Sequence, residues 1–118
     1  EACLVGSEMC IRDRSKYKLN KSYKSTKDLI EKYDLDAFIG LTRGPAWKIN
    51  YDGGDYVAMN DSPQFGSGGY AAHNGMPHIT IPYFEINKFP VGISLIGDRW
   101  SDKAIIEYAS AIEKSRYN

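Results

Sequence analysis

The chain has 118 residues, 42% of them hydrophobic and 25% charged, with fifteen basic and fifteen acidic side chains in balance. Such a balance sets up no strong field to favour a nucleic acid or an anionic membrane, and no run approaches the roughly 18 apolar residues needed to span a bilayer. The length suits one domain with its own core, or equally the last part of a larger one.

The first stretch, Cys3-Leu-Val-Gly-Ser-Glu-Met-Cys-Ile-Arg-Asp-Arg14, looks like the translation of a transposase-type sequencing-library adapter. The codons ATG TGT ATA AGA GAC, for instance, read Met-Cys-Ile-Arg-Asp. A scar of this kind is set aside before the fold is argued. The expectation is that residues 1–14 are not part of the fold, that the reading frame joins a gene part-way through, and that an N-terminal part of the protein precedes it. Residues 15–118 contain no cysteine and so no disulfide or thiol–metal framework, and they carry thirteen basic against twelve acidic side chains.

From Ser15 to Thr26 the chain is polar, with Lys16, Lys18, Lys21 and Lys24 interleaved with Tyr17 and Tyr23. A basic segment with aromatics is what single-strand binders use. Here Asp28, Glu31, Asp34 and Asp36 restore neutrality at once, which favours a solvated helix face or linker. Ser25 or Thr26 is expected to cap a helix over Thr26–Tyr33 with Leu29, Ile30 and Tyr33 on one side, ended by Asp34-Leu-Asp36.

Ala37-Phe-Ile-Gly-Leu-Thr42 is a near-continuous apolar run and reads as a strand buried on both faces, as in parallel sheets. Arg43 to Gly66 is broken by Gly44-Pro45, Asp52-Gly-Gly-Asp55 and Asp61-Ser-Pro63 and shows no lasting period, the pattern of a functional loop or a segment covering a larger body. Gly68 to Asn74 reads as a short helix ended by Gly75 in a left-handed cap. His78–Ile86 and Pro90–Ile96 then form a hairpin about Asn87-Lys88, with Val91, Ile93 and Leu95 on one face. Ser101 caps a last helix to Arg116, in which Ile105, Tyr108, Ala109 and Ile112 fall at i, i+3, i+4 and i+7 and dock onto the sheet.

Several constellations invite chemical readings. Gly66-Ser-Gly-Gly-Tyr-Ala71 fits a Gly-x-Gly-x-x-Ala pattern, but a loop precedes it where a dinucleotide fingerprint needs a strand. Ser67 reads as a helix cap or loop residue rather than a nucleophile. His73 and His78 do not share a face as an i, i+4 metal pair would, so no metal site is expected. A triad of Ser67, His78 and one of Asp52, Asp55 or Asp61 has no oxyanion-hole motif beside it. His78, opening a buried strand, reads as a hydrogen-bonded structural residue.

Leu41-Thr42 followed by Gly44-Pro45-Ala46, then Gly75, Pro77, Ile79, Thr80 and Pro82, then Phe89-Pro-Val-Gly92 with Gly97, and finally Glu113 in the closing helix, together resemble the C-terminal end of amidase signature enzymes, which hydrolyse carboxamide C–N bonds. The resemblance covers roughly Ser25 to Arg116 and departs from the family pattern at Leu41, where a proline is usual. It implies an α/β fold, the C-terminal part of the family's mixed β-sheet, with a β-hairpin and a closing amphipathic helix. It also implies an enzyme with a Ser-Ser-Lys relay, in which one serine attacks the amide carbon and the lysine moves the proton through the second. That motif is absent here, so residues 15–118 are expected to be the C-terminal portion of an amidase domain, inactive alone.

By the same resemblance Trp47, Tyr56, Met59 and Tyr70 are candidate walls of the acyl-substrate pocket. The implied partners are a small-molecule amide and the missing N-terminal part, with a homodimer possible, no nucleic acid, no membrane span and no cofactor, in a cytoplasmic protein. The alternative from the residues alone is a small free-standing α+β binding or interaction module without catalysis.

Overall fold

The computed structural model describes residues 7–60 and 66–116, with side chains described from Lys16 onward. Its centre is the hairpin of β2 (His78–Ile86) and β3 (Phe89–Gly97). Asn87 and Lys88 take φ of 52° and 69°, the left-handed pair of a two-residue turn that matches strand twist. The register runs from His78 opposite Ile96 to Ile86 opposite Phe89 and shifts between Pro82 and Phe84, leaving Tyr83 as the extra residue of a bulge. Opposite Pro82 lies Gly92, where a Cβ would stand 2.8 Å from Thr80 Cγ2, so the strands approach closely only because the side chain is missing.

The strand β1 (Ala37–Leu41) pairs with the other edge of β3, giving the order β1-β3-β2, antiparallel throughout. This corrects the expectation of a parallel-type strand buried on both faces. The β1 side chains alternate in direction, and Ile39 and Leu41 remain 65% and 40% exposed. Only β3, flanked on both edges, reads as a buried run. His78 likewise opens an edge strand, and within β2 only Ile81 is buried.

One sheet face carries Ile79, Ile81, Ile93 and Leu95, against which α4 (Asp102–Arg116) lays Ile105, Ala109 and Ile112. Tyr108 sits at the margin, its hydroxyl donating to Asp36 Oδ1 at 3.4 Å. Gly97 lets the helix close down, since a Cβ there would meet Ile105 Cδ1 at 2.8 Å. Ser101 starts the helix with its backbone, its carbonyl accepting the Ile105 N–H, while its hydroxyl donates back to the Asp98 carbonyl at 2.7 Å rather than capping the first turn. At the far end Arg116 Nη1 donates to the Pro82 carbonyl at 2.6 Å.

The opposite face is covered by α1 (Ser7–Tyr33) and α3 (Gly68–Asn74), whose Ala71 joins Met76 and Ile96 in a second cluster packed by Tyr23, Ile30 and Phe38. Here the first helix departs from the expected Thr26–Tyr33. No Gly or Pro lies between Ser7 and Tyr33 to stop it, so it runs on upstream. Thr26 is then mid-helix and buried, its hydroxyl 2.7 Å from that of Tyr70. The inward stripe is Tyr23, Thr26 and Ile30, while Leu29 and Tyr33 face solvent. Asp34, at φ 51°, ends the helix as expected. Gly75, at φ 61°, ends α3 in the left-handed cap, with Met76 N–H returning to the Ala71 carbonyl at 3.0 Å.

Candidate functional site

The long segment after β1 is held at both ends. Thr42 N–H donates to the Gly92 carbonyl, Ser67 N–H donates to the Thr42 carbonyl, and Arg43 bridges Gly66. The Ser67 hydroxyl donates to the Leu41 carbonyl. A clasped loop of this kind can project side chains from a rigid frame. Within it lies a short helix, α2 (Gly54–Asn60), which the irregular sequence pattern did not suggest. Asn50 prepares its entry: Oδ1 accepts the N–H groups of Asp52 at 3.1 Å and Gly53 at 2.7 Å. Gly54, at φ 67°, makes the turn that follows.

Between this loop and the tip of the hairpin opens a cleft of about 720 Å³. Trp47, Ile49, Ala58, Ile86 and Phe89 supply apolar wall, while Lys48 and Asn50 bring polar groups. Trp47 is steadied by the Arg43 guanidinium, 5.7 Å from its ring centroid. Such a mixture suits an apolar ligand with a polar end.

Trp47 is thus a cleft residue, and Met59 follows the cleft residue Ala58 on α2. Tyr56, on the same helix, is 75% exposed. Tyr70 belongs elsewhere: its ring meets Phe38 edge-on at 6.1 Å and its hydroxyl pairs with Thr26, on the α1 side of the sheet. Ile86 and Phe89 were not anticipated as walls, because only the closed hairpin brings its turn over the loop.

The histidines are otherwise engaged. His78 Nε2 lies 2.6 Å from Ser94 Oγ, which in turn lies 2.8 Å from Thr42 Oγ1. Ser94 is fully buried, so this serine is a strut within the sheet rather than an accessible nucleophile. His73 Nδ1 contacts the carbonyl of Gly69 at 2.6 Å. With Ser67 bound to Leu41, the structure pairs His78 with Ser94 rather than with Ser67 as the triad reading required; Asp61 lies outside the described residues.

The main charged cluster is structural as well. Asp98 accepts the Tyr23 hydroxyl at 2.6 Å, the Lys27 ammonium at 2.5 Å and the Arg99 N–H at 2.8 Å. Burial pushes its carboxyl up, but these hydrogen bonds outweigh burial and hold it below the usual carboxylate range. The bond to Asp98, with burial second, raises the Tyr23 phenol, and the same carboxylate raises Lys27. Arg99 stacks 3.7 Å from the Tyr23 ring centroid and donates from Nε to the Asn74 carbonyl at 2.9 Å. Together these contacts rivet α1 and α3 to the β3–α4 corner.

No protein-family profile matches this chain. Over 45 residues, 37% of its length, it is 44% identical to a glutamyl-tRNA(Gln) amidotransferase component from Thermotoga maritima, of which it covers 10%. Its fold is similar to the crystal structure of PAM12A, with a TM-score of 0.62 and 33% identity over 75% of this chain and 16% of that one. It is likewise similar to the peptide amidase PAM in complex with the competitive inhibitor chymostatin, with a TM-score of 0.61 and 34% identity over 73% of this chain and 16% of that one. The chain therefore spans between 10% and 16% of the length of these relatives. The likenesses point to the amidase-signature family, and the α/β arrangement of sheet and closing helix matches the peptide amidase structures.

Proposed function

We propose that this chain is the C-terminal portion of an amidase that hydrolyses carboxamide C–N bonds by a Ser-Ser-Lys relay, with nucleophile, relay serine and lysine in sequence upstream of it. The observation that carries the reading is the likeness to peptide amidase PAM, a third of residues identical over three quarters of the chain. The substrate is a small amide, a peptide amide among the candidates, and no cofactor takes part. The protein acts in the cytoplasm; no helix among the described residues is long and apolar enough to cross a membrane.

In this reading the chain binds and shields rather than reacts. The loop carrying Trp47, Tyr56 and Met59 walls the acyl side of the substrate, with Tyr70 stiffening the frame behind it. An apolar wall expels water from the scissile amide and strengthens the electrostatics of the oxyanion site contributed from upstream. The open flank of the sheet supports the same view. Ile39 borders a groove of about 560 Å³ with Leu95, Tyr108 and Ile112, an apolar surface that the upstream part of the chain would cover.

The direct test is the DNA upstream of codon 15 in its source genome. A reading frame that continues into a Gly/Ser-rich segment with a lysine far upstream of it is the expected result. A ribosome-binding site and start codon beside Ser15 would replace the amidase with a free-standing module.

A further inference from the structure

Asn74 and Gly75 form the sequence's one Asn-Gly pair. Asparagine before glycine is the step at which peptides deamidate most readily, because no side chain on the second residue hinders attack of its nitrogen on the asparagine amide. In the fold each participant is held. Asn74 is 1% exposed, and its Nδ2 donates to the Tyr70 carbonyl at 2.8 Å. The Gly75 nitrogen is occupied in the cap, its N–H directed to the Ala72 carbonyl at 3.2 Å. The Asn74 carbonyl accepts Arg99 Nε at 2.9 Å. Yet Asn74 Oδ1, buried, has no hydrogen-bond partner among the described residues, so the amide is clamped from one side only.

We propose that Asn74–Gly75 is a latent modification site, closed by the docking of α1 and α3 and opened when that docking is lost. On opening, the Gly75 nitrogen bonds to Asn74 Cγ. The side-chain nitrogen leaves as ammonia, taking up the proton given up by Gly75, and a succinimide remains. Water then opens the ring at either carbonyl, giving aspartate or isoaspartate at position 74. Neither product fits back. Aspartate places a carboxylate where Asn74 was almost wholly buried, and isoaspartate adds a methylene to the backbone at the cap. The event is therefore a one-way record of local opening.

The test follows ammonia release, and isoaspartate at residue 74 by peptide mapping, for the full chain at mildly alkaline pH, natively and in guanidinium chloride. Circular dichroism establishes the folded state. The expected native rate is lower by at least about tenfold, the protection that local closure gives. Tyr23→Phe, which loosens α1, should raise the native rate severalfold and leave the denatured rate unchanged. Equal rates in the two solvents, or none at Asn74 in denaturant, would overturn the proposal. A native rate indifferent to Tyr23→Phe, in a variant still folded by circular dichroism, would overturn the role given to α1.

Discussion

Asp98, just past the end of β3, lies 2.5 Å from the Lys27 ammonium, 71 positions earlier in the chain, and joins α1 to the sheet through that contact. Both side chains remain partly solvated, at 24% and 38% exposure. The pair's role is thus chiefly positional, and its energetic effect depends on the state of its titratable members.

Stability should therefore fall at both ends of the pH scale. Asp98 is held below its ordinary value, so its contribution is present above about pH 4 and is lost as pH falls through the lower folded value. Tyr23 and Lys27 are raised, so theirs are present below about pH 10 and are lost as pH rises through the higher folded values. Urea midpoints measured across pH should form a plateau with two flanks. Asp98→Asn should flatten the acid flank, and an unchanged acid flank in that variant would show that other carboxyls set it.

Packing of the closing helix offers a second check. Ile105 is 2% exposed at the centre of the α4-side cluster, so Ile105→Ala should cost about 2–5 kcal/mol. Gly97→Ala should cost about 1–3 kcal/mol by overpacking, because the new methyl would meet Ile105. Denaturant unfolding measures both, and a neutral Gly97→Ala would mean that α4 can move away from the strand freely.

Deleting residues 1–14 should leave the unfolding free energy within about 0.5 kcal/mol, as surface changes usually do. The described contacts of α1 with the rest come from Asn20 onward, at Tyr23, Thr26, Lys27 and Ile30. A thermal melt of the truncated chain decides, and a loss above about 1 kcal/mol would make those residues part of the fold.

On the proposed amidase reading, Trp47→Ala in the full-length protein should raise KM for amides with apolar acyl groups by about tenfold, as truncating an aromatic anchor in an interface does. Steady-state kinetics on paired acetyl and long-acyl amides would show it. Equal KM changes for both substrates would remove Trp47 from the acyl wall.

The hairpin and closing helix were legible because their signals are local: a two-residue turn at Asn87-Lys88, alternation along β3, and a helical period from Ile105 to Ile112. The Gly75 cap is read the same way, from a glycine after a short apolar run. What failed to show was set by distant partners. Thr26 resembles a helix start, but the hydroxyl of Tyr70, 44 residues on, satisfies it in mid-helix. The apolar run of β1 suggested burial on both faces, whereas pairing with β3 placed it at an antiparallel edge. The helix α2 (Gly54–Asn60) was obscured by the glycines at its start. At the site, Trp47 was named only through the family resemblance, and its neighbours Ile86 and Phe89 come only with the tertiary closure of the hairpin over the loop.

The central claim is tested most directly by amide hydrolysis, comparing the purified chain with the full-length enzyme recovered from the same source on a panel of aryl, fatty and peptide amides. Turnover by the full-length enzyme and none by the chain is predicted, since loss of a nucleophile alone typically lowers rate on the order of a million-fold. Turnover by the chain that disappears in Ser67→Ala or His78→Ala would contradict the account and place a catalytic centre within these residues. Silence of the full-length enzyme on every amide would equally contradict it.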